Sequence, residues 1–564
     1  MQRPPDSIVA RPARSYRWPT IGELWTFLGF ALPALAALLV PMPAVDLAYQ
    51  LRAGAEILQA GAIPAVDTWT FTINGQPWLD QQWGAQVLLA GVYQLAGWTG
   101  LAILRAGLVA ATFALVQATL RSMGCAQRPA ALLALGSFAV AAPALALRPQ
   151  LFGIVLFAAS IFVVADRRAH PRRLWLLPIF AALWANLHGT FPLIVVVVTL
   201  GWLDEFSRRL LARRARKAAP KGFKQPPDPG AAARLRGSTG IALLGAVTAV
   251  ATLVSPFGIE TWWYVVRLAS NPEVSAGISE WRPPSPIDPT GAVFYLSVLV
   301  AVVVVALRVR ADGNRVGLPI LAPVATILGF AVLGILTGRG LAWWALVLPI
   351  AGAQLAHESN LTRHLPRALA PIGTLLSGPK PVRADGSPVP PGAVAATAAA
   401  NARARRGSPL NFAVGVVLTL AAVALLPLWR PLGPAKVPAS TLSFAPQGIA
   451  AYLRAVVPSA SGDLPTRIWA PQIWGSWLEF AVPNGQYVAD SRVELFPAAV
   501  WRELASVDSG NGGFALTLEQ QGVGLVVLTT DAATRLGPAL NAAGWTLAYN
   551  DADGSVWQAP EYLL

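Results

Sequence analysis

Apolar residues run in long, nearly unbroken stretches along most of this chain, and charge is confined to the short segments between them. An α-helix rises 1.5 Å per residue, so about 20 apolar residues cross the ~30 Å hydrocarbon core of a bilayer. Runs approaching that length predict spans at 21–40, 99–120, 129–147, 150–165, 239–255, 292–307, 318–336, 341–355 and 412–428. Segment 174–203 is apolar except for Asn186 and His188, and is either one long helix or two short ones broken at His188-Gly189. Arginines flank it on both sides, which favours a hairpin with its tip outside and brings the count to about eleven crossings. After residue 431 the period changes. Short β-rich runs at 467–470, 487–489, 524–530, 545–549 and 555–558 alternate with helical patterns at 447–456 and 532–543, which predicts a compact α/β domain of about 130 residues.

The predicted fold class is therefore a polytopic α-helical membrane protein with a C-terminal soluble α/β domain. Residues 1–20 form a cytoplasmic tail and 21–430 the transmembrane bundle, with outer loops 41–83 and 256–290 and a Pro- and Ala-rich cytoplasmic linker at 377–407. Residues 431–564 form the extracytoplasmic domain, tethered by the proline-rich stretch 431–438. Composition agrees: 55% of the 564 residues are hydrophobic and only 13% charged, too apolar for a chain solvated by water alone. The net charge of +15 does not mark a nucleic-acid face, because the basic residues fall between spans in the positive-inside pattern. The implied place is a bacterial cytoplasmic (inner) membrane, with the N-terminus in the cytoplasm and the C-terminal domain outside. The basic N-terminus before an apolar run lacks a small-residue cleavage site and reads as a retained first helix. The single cysteine, Cys125, excludes a disulfide framework.

Ionisable groups near a membrane are costly, so those facing a bundle cavity are candidates for function. Loop 41–83 places Asp46, Tyr49, Asp67 and Asp80 among tryptophans and glutamines, a composition suited to a hydroxyl-rich ring. Arg148, Arg282 and Arg339 are predicted at outer helix ends, where a guanidinium can grip a phosphate or anchor at the interface. Asn186 and His188 lie at the hairpin tip, Glu280 and Trp281 in the second outer loop. In the C-terminal domain, Asp490 and Arg492 follow a strand and either bind a ligand or pair with each other. No P-loop, Rossmann fingerprint, nucleophile elbow or zinc spacing is present.

An acidic residue just after the first span, a large first outer loop, a many-helix bundle and a soluble domain outside resemble the GT-C class of integral-membrane glycosyltransferases. More closely, segments 46–54, 63–72, 184–189, 255–258, 278–281 and 474–478 resemble a widespread group of bacterial GT-C-like membrane proteins. The resemblance implies an inverting transfer of a sugar from a polyprenyl-phosphate-linked donor to a glycan, lipid or protein acceptor at the outer face, with Asp46 as general base. His188 is then a partner for Asp46 or a polar turn. The sequence departs from the class in one respect: many members carry two adjacent acidic residues and a tryptophan-histidine pair here, where this chain has Val45 and Leu47 around Asp46, then Tyr49-Gln50. No cofactor is firmly implied, though the class leaves room for a divalent metal. Two other functions fit the same bundle, a non-catalytic scaffold that binds a partner through its C-terminal domain, and a transporter of lipid-linked glycans.

Overall fold

The computed structural model describes residues 17–218, 231–312, 320–357, 407–457, 465–510 and 513–560. The expected linker up to residue 406 and the tail up to residue 16 lie outside them. The first helix, α1 (Ile21–Leu39), starts where Thr20 and Glu23 form a reciprocal capping box, the Thr20 hydroxyl accepting from the Glu23 amide at 3.2 Å and the Glu23 carboxylate from the Thr20 amide at 2.7 Å. A two-residue strand, β1 (Met42–Pro43), leads directly into α2 (Ala44–Ala60), whose first turn carries Asp46 and which stops at Gly61 with φ 67°. Gly54 lets α2 lie on the next helix, since a Cβ there would sit 2.1 Å from the Gln86 carbonyl.

Helix α3 (Trp83–Ser122) bends at Gly97, and its second half corresponds to the predicted 99–120 span. The bundle continues with α4 (Gln127–Ala141), α5 (Pro149–Ala165), α6 (Leu176–Leu187), α7 (Pro192–Ala218) and α8 (Ala231–Ala251). Two short helices, α9 (Glu260–Ser270) and α10 (Pro272–Gly277), precede α11 (Pro289–Asp312), α12 (Leu321–Leu336), α13 (Gly340–His357) and α14 (Pro409–Ala424). Segment 174–203 is two helices, broken where His188 turns to extended backbone (φ −163°, ψ 142°). By length and composition three described helices can cross a membrane, Ile21–Leu39, Trp83–Ser122 and Pro289–Arg310, with five shorter apolar helices beside them. The expected count of about eleven goes beyond what that criterion carries.

The C-terminal region begins with β2 (Leu442–Ser443), which pairs in parallel with β1, and α15 (Gln447–Val456). Then follow β3 (Arg467–Trp469), α16 (Gln472–Ala481), β4 (Gln486–Tyr487), α17 (Ala498–Asp508), α18 (Phe514–Gln520), β5 (Leu525–Thr529), α19 (Thr530–Ala542), β6 (Thr546–Asn550) and β7 (Gly554–Gln558). The sheet order is β4-β3-β5-β7-β6, parallel from β4 to β5 and antiparallel beyond.

This sheet does not stand apart from the loop after α2. Residues 69–72 continue it past β4: the Phe71 amide donates to the Tyr487 carbonyl and the Tyr487 amide to the Trp69 carbonyl, both at 3.0 Å. Helix α16 packs along α2, and Phe480 meets Tyr93 and Trp98 of α3 in edge-to-face contacts at 5.7 and 6.1 Å. One hydrophobic core accordingly runs from the bundle into the sheet, including Leu47, Trp98, Trp344, Trp477 and Ile468.

At the centre of this junction lies Arg492, 1% exposed, with its guanidinium 4.3 Å from the Trp69 ring and 4.4 Å from the Trp78 ring. Its Nη2 bonds both Asp67 and Asp490, and its Nε bonds Asp490 at 2.9 Å. Burial alone would lower its pKa, but Asp490, Glu479 and Asp67 together raise it well above the ordinary arginine value. Removing the cation would leave buried carboxylates without a counter-charge. Arg492→Ala is therefore predicted to destabilise the protein by about 3–5 kcal/mol. Arg492→Lys should recover only part of this, because an ammonium cannot reproduce a planar fork that lies against both rings and bonds two carboxylates. Thermal unfolding of the purified protein reads both, and a Tm of Arg492→Ala equal to wild type would contradict this assignment.

Candidate functional site

Where α2, α5, the α6–α7 break and the loop before α11 meet the C-terminal domain, the structure holds a cavity of 440 Å³. Asp46 reaches it from the first turn of α2. Arg148 reaches it from the residue before α5, where Pro149 forces extended backbone and begins the helix (Arg148 φ −154°, ψ 167°). Glu280 and Trp281 come from a single 3₁₀ turn, residues Ser279–Trp281. Arg339 sits between α12 and α13, tied to that turn by its amide, which donates to the Glu280 carbonyl at 2.9 Å.

These side chains form one charged cluster. Arg148 donates from Nη1 to Asp46 at 3.2 Å and from Nη2 to both oxygens of Glu280 at 2.8 Å. Arg339 Nε lies 3.5 Å from Glu280, and its guanidinium covers the Trp281 ring at 4.7 Å. Burial by itself would raise the Glu280 pKa, but Arg148 and Arg339 outweigh it and hold the carboxyl below its ordinary value. Glu280 is thus ionised at neutral pH. Asp46 keeps 38% of its side chain exposed, whereas Arg148 keeps 12%, so the carboxylate faces the open space and the guanidinium backs it.

His188 also lines the cavity, but it does not bond Asp46. Its Nδ1 accepts from the Thr190 amide at 3.2 Å and lies 2.9 Å from the Thr190 hydroxyl. Burial, reinforced by the facing Arg339 and Arg148, pushes its pKa down to about 3, leaving a neutral ring with its proton on Nε2. The partner of Asp46 is instead Arg148, expected only as a phosphate grip or an interfacial anchor.

Tyr49 joins the cavity wall, so Asp46, Tyr49, Arg148, His188, Glu280, Trp281 and Arg339 come together as lining residues. Asp67, Asp80, Asn186, Arg282, Asp490 and Arg492 do not line it. Asp67, Asp490 and Arg492 form the buried ion cluster described above, in which Asp490 and Arg492 are paired with each other. Asn186 accepts from the Trp83 indole at 3.0 Å and donates to the Ala182 and Val254 carbonyls, holding the α6 end in place. Arg282 presents its carbonyl to the Gly338 amide at 2.9 Å, outside the cavity.

The C-terminal domain supplies a wall that loop composition did not indicate. Gln472, Ser491 and Glu494 face the cavity, with the Ser491 hydroxyl donating to the Val45 carbonyl at 2.8 Å. The Tyr264 hydroxyl of α9 donates to Glu494 at 3.0 Å. Burial raises the Glu494 pKa, so the cavity holds an ionised carboxylate on one side and a carboxyl that resists ionisation on the other. Tyr264 and Glu494 are 230 positions apart, and only the fold makes them neighbours.

A bridging metal does not fit this donor set. The Arg148 guanidinium already stands between Asp46 and Glu280, in hydrogen-bonding contact with both, where a cation shared by the two carboxylates would have to sit. Among the described residues no three His, Cys, Asp or Glu side chains group as metal ligands. The positive charge here belongs to the protein.

No family model matches the sequence, and no curated protein does. Among solved structures, the oligosaccharyltransferase of Archaeoglobus fulgidus, a GT-C-type glycosyltransferase, is similar in its apo form with a TM-score of 0.50 at 12% identity. The match covers 92% of this chain and 71% of that one. The same enzyme tethered to an acceptor peptide containing the NVT sequon gives a TM-score of 0.50 at 13% identity, covering 92% and 70%. The likeness is one of fold, and this chain carries apolar helices long enough to cross a membrane.

Asp80 provides a pH test of this region. It is buried beside α3, with Oδ1 accepting from Gln86 at 2.7 Å and Oδ2 lacking a hydrogen-bond partner, and burial pushes its pKa up to about 7. Its folded value lies above the ~3.9 of an unfolded chain, so its stabilising contribution is complete below pH ~4 and is lost as pH rises through about 7. Asp80→Asn keeps the acceptor for Gln86 and cannot ionise. Its Tm relative to wild type is predicted to climb between pH 4 and pH 7 and to level off above; a difference independent of pH would show that Asp80 does not titrate in this range.

Proposed function

We propose that the chain is a membrane glycosyltransferase that moves a sugar from a polyprenyl-phosphate-linked donor to an acceptor at the outer face of the membrane, in the cavity around Asp46. The observation that carries this reading is the division of labour within the cluster: a half-exposed carboxylate, Asp46, backed by a buried guanidinium that a second carboxylate holds from behind. The GT-C fold of the similar oligosaccharyltransferase supports glycosyl transfer as the general class.

In this mechanism the acceptor oxygen attacks the anomeric carbon from the face opposite the phosphate. The new C–O bond forms as the bond to the phosphate oxygen breaks, and the acceptor proton passes to the Asp46 carboxylate. The product is inverted at that carbon. Polyprenyl phosphate leaves with the bonding electrons, and its added charge is met by Arg339 and the free edge of Arg148. Arg148 already compensates Asp46 and Glu280, so Arg339, which shares only Glu280, is the guanidinium better placed to answer new negative charge. Neutral His188 adds a donor without adding another cation.

The test is transfer from a polyprenyl-phosphate-linked hexose by the purified protein in lipid nanodiscs. Asp46→Asn is predicted to lower kcat by about 10²–10⁴-fold, the range of a lost general base, with Tm close to wild type. Arg339→Ala should lower kcat and leave Asp46 hydrogen-bonded to Arg148. Undiminished transfer by Asp46→Asn would remove Asp46 as the base, whereas no transfer by wild type would leave the scaffold reading, in which loss of a partner follows deletion of the C-terminal domain.

A further inference from the structure

Among the described residues three non-glycine positions have positive φ, and all fall in the segment joining α14 to α15: Lys436 at 61°, Ser440 at 55° and Phe444 at 57°. An L side chain at such an angle is strained, and strain of this kind persists where surrounding structure over-determines it, often at a functional site. Phe444 is fixed from both directions. On one side β2 is registered against β1, with Met42 opposite Leu442 and Pro43 opposite Ser443. On the other, Pro446 begins α15 and its carbonyl accepts from the buried Trp477 indole at 3.4 Å.

The outcome is an aromatic ring presented rather than packed. Phe444 lines the cavity yet is 54% exposed, and among the described residues it is paired with no other ring. Because β1 runs directly into α2, the strand pairing that fixes Phe444 also fixes the turn bearing Asp46. Of the cavity's other aromatics, Trp281 already has the Arg339 guanidinium over its face, the Tyr264 hydroxyl is bonded to Glu494, and Tyr49 packs against Trp69 and Trp78. A free aromatic face beside a floor of carboxylates and guanidinium groups matches a pyranose, whose C–H face stacks on a ring while its hydroxyls reach charged partners.

We propose that Phe444 is the stacking platform for the donor sugar, presented by a backbone that holds it in a strained conformation. This rests on the glycosyl-transfer reading above. The sugar lies between the Phe444 ring and the Asp46–Arg148 pair, and the polyprenyl chain does not contact Phe444.

The experiment compares the full chain in nanodiscs as wild type, Phe444→Tyr, Phe444→Leu and Phe444→Gly, using a polyprenyl-phosphate-linked hexose and, as control, polyprenyl phosphate without sugar. Phe444→Tyr should keep KM within about 2-fold, while Phe444→Leu and Phe444→Gly raise it roughly 3–10-fold with little change in kcat, as expected for loss of one aromatic contact. Phe444→Gly should also raise the Tm of the ligand-free protein by about 1–2 °C, because glycine adopts positive φ without strain. The Tm rise on adding the sugar-bearing lipid should shrink in Phe444→Leu, and the rise on adding the sugar-free lipid should not. An unchanged KM in Phe444→Leu, a lower Tm in Phe444→Gly, or equal loss of both lipid-induced shifts would overturn the proposal, the last by assigning the ring to the lipid chain. Wild type that binds the sugar-bearing lipid without transferring it would instead defeat the glycosyl-transfer reading, and the Tm comparison would still decide the role of Phe444. Wild type that neither transfers nor shows a sugar-dependent shift would overturn both.

Discussion

A single arginine held in the corner between two edge-to-face indoles holds the functional half of this molecule together. Arg492 belongs to the C-terminal domain, Trp69, Trp78 and Asp67 to the loop after α2, and none of them is solvated in the folded protein. A buried cation is tolerable only when its counter-charges are equally fixed, which Asp67 and Asp490 provide. The constraint reaches further than its own contacts. With Arg492 seated, residues 69–72 extend the sheet, α16 lies along α2, and Ser491 and Glu494 face Asp46 across the cavity. Without that docking the cavity loses a wall, and Asp46 would sit at the end of an open helix.

The cavity repeats the device at lower burial. Arg148 stands between Asp46 and Glu280 as Arg492 stands between Asp67 and Asp490, but two of its partners remain partly open to solvent. This difference separates a structural cluster from a reactive one. In the buried set Asp67, Asp490 and Arg492 are paired with one another inside the protein. In the cavity set the charges are balanced while Asp46 keeps an accessible edge, and Arg339 has only part of Glu280 to answer. Such a site can accept a ligand that brings its own negative charge and hydroxyl groups.

Much of the architecture was legible because it follows from periodicity. The predicted first span opens at the start of α1, the five β-rich runs fall on β3 to β7, and the break at His188-Gly189 is a real helix boundary. Asp46, Arg148, Glu280 and Arg339 were legible as candidates, since each is a charged residue beside a helix end, but their convergence on one cavity was not. Nor was their pairing. Arg148 lies 102 positions from Asp46 and 132 from Glu280, and no local pattern indicates which carboxylate it will meet. Asp67 and Asp80 look like cavity residues in a polar, aromatic loop, but the loop folds inward against the C-terminal sheet and buries both. Phe444 escaped composition altogether, because its place depends on the pairing of β1 with β2, and Glu494, at the end of the candidate segment 490–494, meets its partner Tyr264 only through the fold.

Transfer at this site requires the donor phosphate and sugar to lie in the Asp46 cavity. The most direct test is an experimental structure of the protein with a non-transferable polyprenyl phosphonate sugar. The expected result is phosphonate oxygens within hydrogen-bonding distance of Arg339 or Arg148 and the anomeric carbon facing the Asp46 carboxylate. A ligand bound elsewhere, with Asp46 and Arg148 still closed on each other and the cavity empty, would contradict it.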